Sequence, residues 1–208
     1  MARRIKEEPE VHQNRIAGEA EVLFDRKGIE STTMDDIAKA AGYSKATLYV
    51  YFKNKDEIVT YLALKSMRML RDSIAMAAKK EAGLKEQFMG IGLAIREYAE
   101  EYPAYYQMSL QRIEYSSEDL EGSLYSEVYK VGEEINMIII DCLEKGRACQ
   151  QGVGREPKIT DVLQIWGMIT GLINIAMQKR EYIEDIGSMK EQEFLREGLE
   201  KIYRIVCG

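Results

Sequence analysis

The 208-residue sequence is poor in the residues that carry most enzymatic and metal chemistry: it has one histidine, three cysteines and three prolines. His12, the only histidine, lies near the N-terminus, and no Ser-His-Asp set, HExxH motif or glycine-rich phosphate loop is present. Cys142, Cys149 and Cys207 are odd in number and match no metal-ligand spacing, so we expect free thiols in a reducing cytoplasm. The sequence predicts no enzyme and no cofactor.

Long apolar stretches are also missing. The longest nearly apolar stretch, residues 165–177, is shorter than the roughly 20 residues that a membrane-spanning helix needs. The first residues lack the apolar segment of a signal peptide. We therefore expect a cytoplasmic protein that does not bind membranes. Because β-type alternation is absent and helix-forming residues are abundant, an all-α fold is predicted.

The negative overall charge hides an asymmetry along the chain. The net charge is −6, yet residues 1–55 carry +1 and the remainder −7. Between residues 37 and 55 there are four lysines and no acidic residue: Lys39, Lys45, Lys53 and Lys55. A local basic surface of this kind can bind DNA although the protein as a whole is acidic.

Apolar periodicity and helix start and stop signals predict a series of helices. Thr33 and Asp36 have the spacing of a capping box, Gly42 ends the short helix that follows, and Ser44 is placed to cap the next one. The predicted helices are 13–27, 34–41, 45–52, 55–80, 84–100, 103–114, 119–149, 159–179 and 189–206.

Two short helices joined by a tight turn at residues 41–44 form the arrangement of a helix-turn-helix, which presents its second helix to the DNA major groove. At 100° per residue, Leu48 and Phe52 share the inner face of that second helix, and Ala46 and Val50 point outward. Outward alanine and valine suit contact with thymine methyl groups, and Lys45 suits a hydrogen bond to guanine.

Hydroxyl groups and lysines around the outer face are candidates for phosphate contacts. Thr47 could contact either bases or phosphates. The full set of predicted DNA-binding residues is Thr33, Ser44, Lys45, Ala46, Thr47, Tyr49, Val50, Tyr51 and Lys55.

The segment from Gly42 to Lys55, GYSKATLYVYFKNK, resembles the signature of the TetR family of transcriptional regulators. Phe24 followed by Gly28, and Thr33 followed by Ile37-Ala38, fit the same pattern, so the resemblance covers about residues 13–62. One departure is Ala46, where the family often has glycine or proline.

The resemblance implies a flexible arm at 1–12, a helix-turn-helix domain at 13–55 and a helical ligand-binding and dimerisation domain at 56–208, linked by the fourth helix. It further implies a dimeric repressor that binds a palindromic double-stranded DNA operator and responds to a small-molecule effector.

Weaker signals in the C-terminal part agree with these implications. Tyrosines and methionines in the middle helices suit a pocket for an apolar or amphipathic effector; the candidates are Tyr105, Tyr106, Met108, Tyr129, Met137 and Trp166. Residues 164–177 are apolar almost all round, with two glycines four residues apart. The candidate homodimer interface comprises Trp166, Gly167, Thr170, Gly171, Ile173, Asn174, Met177, Leu195, Leu199 and Ile202.

Other interpretations remain open from the sequence alone. Both C-terminal residue sets could simply form the core of one chain, and the helix-turn-helix could serve a protein-interaction or architectural module. Selective binding to a palindromic DNA sequence distinguishes a regulator from such a module.

Overall fold

The computed structural model describes residues 8–79, 83–110, 123–149 and 156–207, and this part of the chain is helical without any strand. The predicted all-α fold is therefore confirmed. The helices are α1 (Pro9–Lys27), α2 (Met34–Ala41), α3 (Lys45–Tyr51), α4 (Lys55–Ala78), α5 (Leu84–Glu101), α6 (Pro103–Leu110), α7 (Leu124–Cys149), α8 (Ile159–Gln178), α9 (Arg180–Asp185) and α10 (Glu191–Cys207).

The chain divides into two compact units, and the first comprises residues 1–66 together with 112–128. Within it α1, α2 and α3 pack against one another. The periodic apolar residues of each helix meet in a small core; its buried members include Ile16, Ala20, Ile37, Leu48, Phe52 and Ile58. This core holds the two short helices of the helix-turn-helix, which are too short to be stable alone.

The second unit comprises residues 67–111 and 129–208, in which α10 packs against both α5 and α8. Glycines permit this close packing. A Cβ atom at Gly92 of α5 would lie 2.5 Å from Leu199, and one at Gly198 of α10 would lie 2.5 Å from Leu172. A larger residue at either glycine would force the leucine side chain that it meets to shift.

The start of α1 and the presence of α9 differ from the sequence predictions. Helix α1 begins at Pro9 rather than residue 13, so His12 lies within it and not in a mobile arm. Proline is favoured in the first helical turn because the amide hydrogen that it lacks has no partner there. Helix α9 was not predicted, because it is short and follows α8 after the single residue Lys179. The predicted helix limits near residues 114 and 119 lie outside the described residues.

Helix α8, at Ile159–Gln178, agrees with the predicted helix 159–179 and extends beyond the apolar stretch at 165–177. Its 20 residues make it, within the described ranges, the one helix long and apolar enough to cross a membrane by length and composition. One face of α8 lies in the core of the second unit: Val162, Ile165, Ile169, Ile173 and Ala176 are buried. Part of its apolar character thus serves packing within the chain.

Candidate nucleic-acid interface

The start of α2 is fixed by the predicted capping box. The Thr33 hydroxyl accepts a hydrogen bond from the Asp36 amide at 3.2 Å, and the Asp36 carboxylate accepts one from the Thr33 amide at 3.0 Å. Lys27 at the end of α1 donates to the same carboxylate at 2.6 Å and holds the pKa of Asp36 well below its usual range. Thr33 therefore serves as a helix cap, and its contact with DNA stays a prediction.

The turn between α2 and α3 depends on one glycine and one serine. Gly42 adopts a left-handed backbone conformation, with φ of 74°, which side chains with a Cβ atom rarely tolerate. The Ser44 hydroxyl then accepts from the Thr47 amide at 3.1 Å and lies 2.7 Å from the Thr47 hydroxyl. Both predicted roles, stop and cap, are confirmed.

Helix α3 has the two faces that its sequence predicts. Leu48 and the following Phe52 are buried, whereas Ala46 is exposed and Val50 retains 77% of its accessible surface. Tyr49 beside Val50 is also exposed. The apolar side chain of an exposed valine cannot form hydrogen bonds with water, but it can contact thymine methyl groups.

The two lysines predicted to contact DNA, Lys45 at the start of α3 and Lys55 at the start of α4, have partners within the chain. Lys45 forms an exposed ion pair with Asp35 at 2.7 Å, which raises the pKa of the lysine. Such a surface pair is weak and can exchange for a stronger DNA contact.

The expectation for Lys55 needs correction, because its ammonium group does not point outward. It donates to the backbone carbonyls of Ile29 at 2.6 Å and Thr32 at 3.2 Å. These carbonyls follow the end of α1. The Ile29 carbonyl also accepts from the Thr32 amide at 3.2 Å, and Lys55 adds a second donor to it from the start of α4. Lys55 therefore holds the segment before α2 in place.

Tyr51 also differs from the expected phosphate contact at the surface. Its ring is half-buried and stacks on His12 of α1, with 5.0 Å between ring centroids. The same imidazole places Nδ1 2.6 Å from the Tyr43 hydroxyl, and Arg15 donates to that hydroxyl at 3.3 Å. Sequence reasoning missed His12, Arg15 and Tyr43. Proline at residue 9 was the signal that could have placed His12 on the helix.

The structure separates the predicted effector contacts. Tyr105 and Tyr106 of α6 are buried, whereas Tyr129 and Met137 of α7 are exposed, so these four residues do not share one buried lining. Composition does not tell which way a side chain points, and the contact of these residues with an effector stays a prediction. Trp166 is half-buried, and the side chain of Met108 lies outside the described residues.

Tyr106 is the most informative of these candidates. It is 1% exposed, and its hydroxyl has no hydrogen-bond partner among the residues that the structure describes. Burial raises the pKa of Tyr106 to about 12. A buried hydroxyl without a partner is costly, and a bound polar group could satisfy it.

The predicted dimer residues fall into two groups. Ile173, Leu195, Leu199 and Ile202 are buried within the chain where α8, α10 and α5 pack, so they cannot form an intermolecular surface. Gly167 and Gly171 are exposed, and the half-buried residues that accompany them are Trp166, Thr170, Asn174 and Met177.

Comparison with known proteins supports the helix-turn-helix assignment. Residues 16–62 match the family model described as bacterial regulatory proteins, tetR family. The transcriptional regulator TtgR of Pseudomonas putida is 38% identical over 81 residues, which cover 39% of this chain and 38% of TtgR. The negative regulator IcaR of Staphylococcus epidermidis is 44% identical over 46 residues, 22% of this chain and 25% of IcaR. The chain thus matches well under half of the length of these relatives.

Solved structures extend the likeness over nearly the whole chain. The TetR-family regulator PfmR of Thermus thermophilus is 28% identical to this chain and superposes on it with a TM-score of 0.63. The superposition covers 91% of this chain and 97% of the PfmR chain. The fatty acid degradation regulator FadR of Bacillus halodurans shares the fold, with a TM-score of 0.66 and 17% sequence identity. This superposition covers 98% of this chain and 97% of the FadR chain. None of these four proteins is named as an enzyme. The helix-turn-helix part of the chain, residues 16–62, thus matches the TetR family of bacterial regulatory proteins, and the fold of the chain is similar to that of a TetR-family structure.

Proposed function

We propose that the chain is a sequence-specific DNA-binding transcriptional regulator of the cytoplasm, a repressor that binds a palindromic operator as a homodimer and responds to a small amphipathic molecule. The exposed outer face of α3, within a domain that matches the family model, carries the proposal. Repression is supported by IcaR, which is named a negative regulator.

Selection of duplex DNA from a random library tests the proposal directly. We expect enrichment of a palindrome, because the two-fold axis of a dimer relates two copies of α3 about one helical turn (~34 Å) or a multiple apart. The absence of enrichment at low salt, without added ligand, would contradict sequence-specific binding by this domain.

Salt dependence should reveal the basic surface. Lys45 and Lys53 are exposed in each helix-turn-helix domain, and these four positive charges of a dimer should displace about four counterions from the DNA. The log–log slope of affinity against salt should therefore be near about −4. Lys53→Gln should reduce the magnitude of the slope by about 2, because one phosphate contact is lost in each of the two helix-turn-helix domains. Lys65→Gln, an exposed lysine of α4, is the control and should leave the slope unchanged. If the DNA affinity of the original protein does not depend on salt concentration, this basic surface does not bind DNA.

The exposed face of α8 supports the proposed dimer. Leu163, Gly167, Gly171 and Ile175 follow one another at four-residue spacing, and all four are exposed. Residues at this spacing form one stripe along a helix. The two glycines leave space above the backbone, because a Cβ atom at either would meet nothing within 4 Å in the chain. A second helix can therefore approach closely.

Gly171→Glu should convert the dimer to a monomer without unfolding the chain. The new side chain meets no atom of its own chain but places a charge in the proposed interface. Sedimentation equilibrium measures the mass of the variant in solution. Operator affinity should also fall, because the two helix-turn-helix domains are no longer joined. Gly18→Glu on α1, where a Cβ atom is equally free of contacts, is the matched control. A persistent Gly171→Glu dimer would contradict this choice of interface.

The effector proposal is supported by the buried hydroxyl of Tyr106, which has no hydrogen-bond partner among the described residues. An effector that releases DNA must bind the free protein more tightly than the DNA-bound protein, typically by about 1–3 kcal/mol. A candidate that binds at saturation and leaves operator affinity unchanged is therefore not the inducer.

A further inference from the structure

We propose that His12 on α1 is a positioning residue that orients the Tyr43 hydroxyl to donate a hydrogen bond to a DNA phosphate. This inference rests on the proposed DNA-binding function and adds to it a contact from the turn between α2 and α3, supported by the first helix. Neither residue belongs to the outer face of α3.

The His12 imidazole is held by contacts with two aromatic residues. Its Nδ1 atom lies 2.6 Å from the Tyr43 hydroxyl oxygen, and its ring lies edge-on to the Tyr43 ring at 5.8 Å between centroids. Its face stacks on Tyr51 at 5.0 Å. Because stacking and hydrogen bonding act on different parts of the ring, together they fix its orientation.

Arg15 approaches the same hydroxyl from the next turn of α1. Its Nη1 atom donates to Tyr43 Oη at 3.3 Å, and its guanidinium carbon lies 5.9 Å from the centre of the tyrosine ring. Arg15 is exposed and Tyr43 is half-buried. The cluster therefore brings a positive charge and a hydroxyl to the surface beside Ser44, the residue that caps α3.

The position in the chain suits a phosphate contact. Tyr43 lies two residues before the first residue of the helix that carries the outward Ala46 and Val50. Residues that flank a base-reading helix contact the DNA backbone, and such contacts fix the position of the helix in the groove. A phosphate oxygen only accepts hydrogen bonds, so a tyrosine must donate its hydroxyl proton to bind it.

The location of that proton depends on His12. If the Tyr43 hydroxyl donates to Nδ1 of a neutral imidazole, no proton is left for a phosphate. If Nδ1 carries hydrogen and donates to Tyr43, the tyrosine oxygen accepts from both His12 and Arg15, and its own O–H is free to point outward. DNA selects this second arrangement, since only it supplies a donor to the phosphate.

Four variants test the arrangement: Tyr43→Phe, His12→Phe, His12→Asn and the double variant H12F/Y43F. Phenylalanine at residue 12 retains stacking on Tyr51 and removes the hydrogen bond. Asparagine retains an N–H donor near the position of Nδ1 but not the ring. Tyr61→Phe is the matched control, because it removes another tyrosine hydroxyl that bonds to α1, through Asn14 at 3.2 Å.

Fluorescence anisotropy should measure binding to the selected operator duplex and to an unrelated duplex of equal length. We expect Tyr43→Phe to weaken both affinities about tenfold, because a hydrogen bond to a charged phosphate is lost and no base contact changes. His12→Phe should weaken both severalfold and have no further effect when Tyr43 is already phenylalanine. His12→Asn should recover most of the loss, and Tyr61→Phe should have no effect.

Unchanged affinity of Tyr43→Phe, while the original protein binds its operator, would overturn this inference and leave the proposed function standing. So would a loss caused by His12→Phe that persists in the double variant, since it would show a structural role. Failure of the original protein to bind any duplex would overturn both. If His12→Phe does not fold, as judged by its melting temperature, the DNA affinities of His12→Asn and Tyr43→Phe are compared instead to test the inference.

Discussion

Replacing Val50 with glutamate should weaken operator binding at least about 100-fold while the protein remains folded. Val50 is 77% exposed at the centre of the outer face of α3, so the monomer tolerates a polar side chain there. In the complex, the carboxylate would be buried against bases and between two rows of phosphates. A buried charge without a partner and a like-charge contact each cost several kcal/mol, and a dimer has two such sites.

A matched control separates this effect from the added charge itself. Met76→Glu places the same charge at another highly exposed apolar residue, on α4, and should leave operator affinity nearly unchanged. Titration of both variants against the selected duplex, with circular dichroism to verify the fold, gives the comparison. If Val50→Glu binds the operator with the affinity of the original protein, α3 does not belong to the DNA interface.

The helix-turn-helix could be predicted almost residue by residue because its determinants are local. The Thr33 and Asp36 cap, the left-handed Gly42 and the Ser44 cap each act over at most four residues. The inward direction of Leu48 then follows from helical geometry alone. No knowledge of distant parts of the chain is needed.

Contacts between distant residues explain what the sequence did not reveal in the same domain. Lys55 reaches the Ile29 carbonyl, 26 residues earlier, and His12 reaches Tyr43, 31 residues later. Nothing in the pattern around Lys55 distinguishes a lysine that donates to backbone carbonyls of its own chain from one that faces a phosphate. Only the packing of the first unit makes the distinction.

A related difficulty explains the errors in the C-terminal part. Residues 164–177 are apolar on almost every side, and periodicity cannot tell which side faces a partner chain. The close approach of Leu172 to Gly198 decides the matter, because it fixes the face that α8 turns to α10. Ile173 consequently lies in the core, whereas Gly171 lies at the surface.

The other large effect expected is on stability, from a buried ion pair that joins α5, α9 and α10. The Glu191 side chain is only 6% exposed and accepts from Arg96 at 3.0 Å and from Arg180 at 2.6 Å. Glu191 lies at the start of α10, where its charge also favours the helix dipole. Removing the carboxylate would leave the mostly buried Arg96 with only the exposed Glu100 as a carboxylate partner among the described residues.

We therefore expect Glu191→Ala to lower the free energy of unfolding by about 3 kcal/mol, the cost of breaking a buried pair from one side. Urea unfolding followed by the fluorescence of Trp166, the only tryptophan, reports on the unit that contains the pair. Arg180→Ala is the control: its side chain is 47% exposed, so its loss should cost less than about 1 kcal/mol. Equal losses in the two variants would mean that burial of Glu191 and Arg96 does not set the strength of this network.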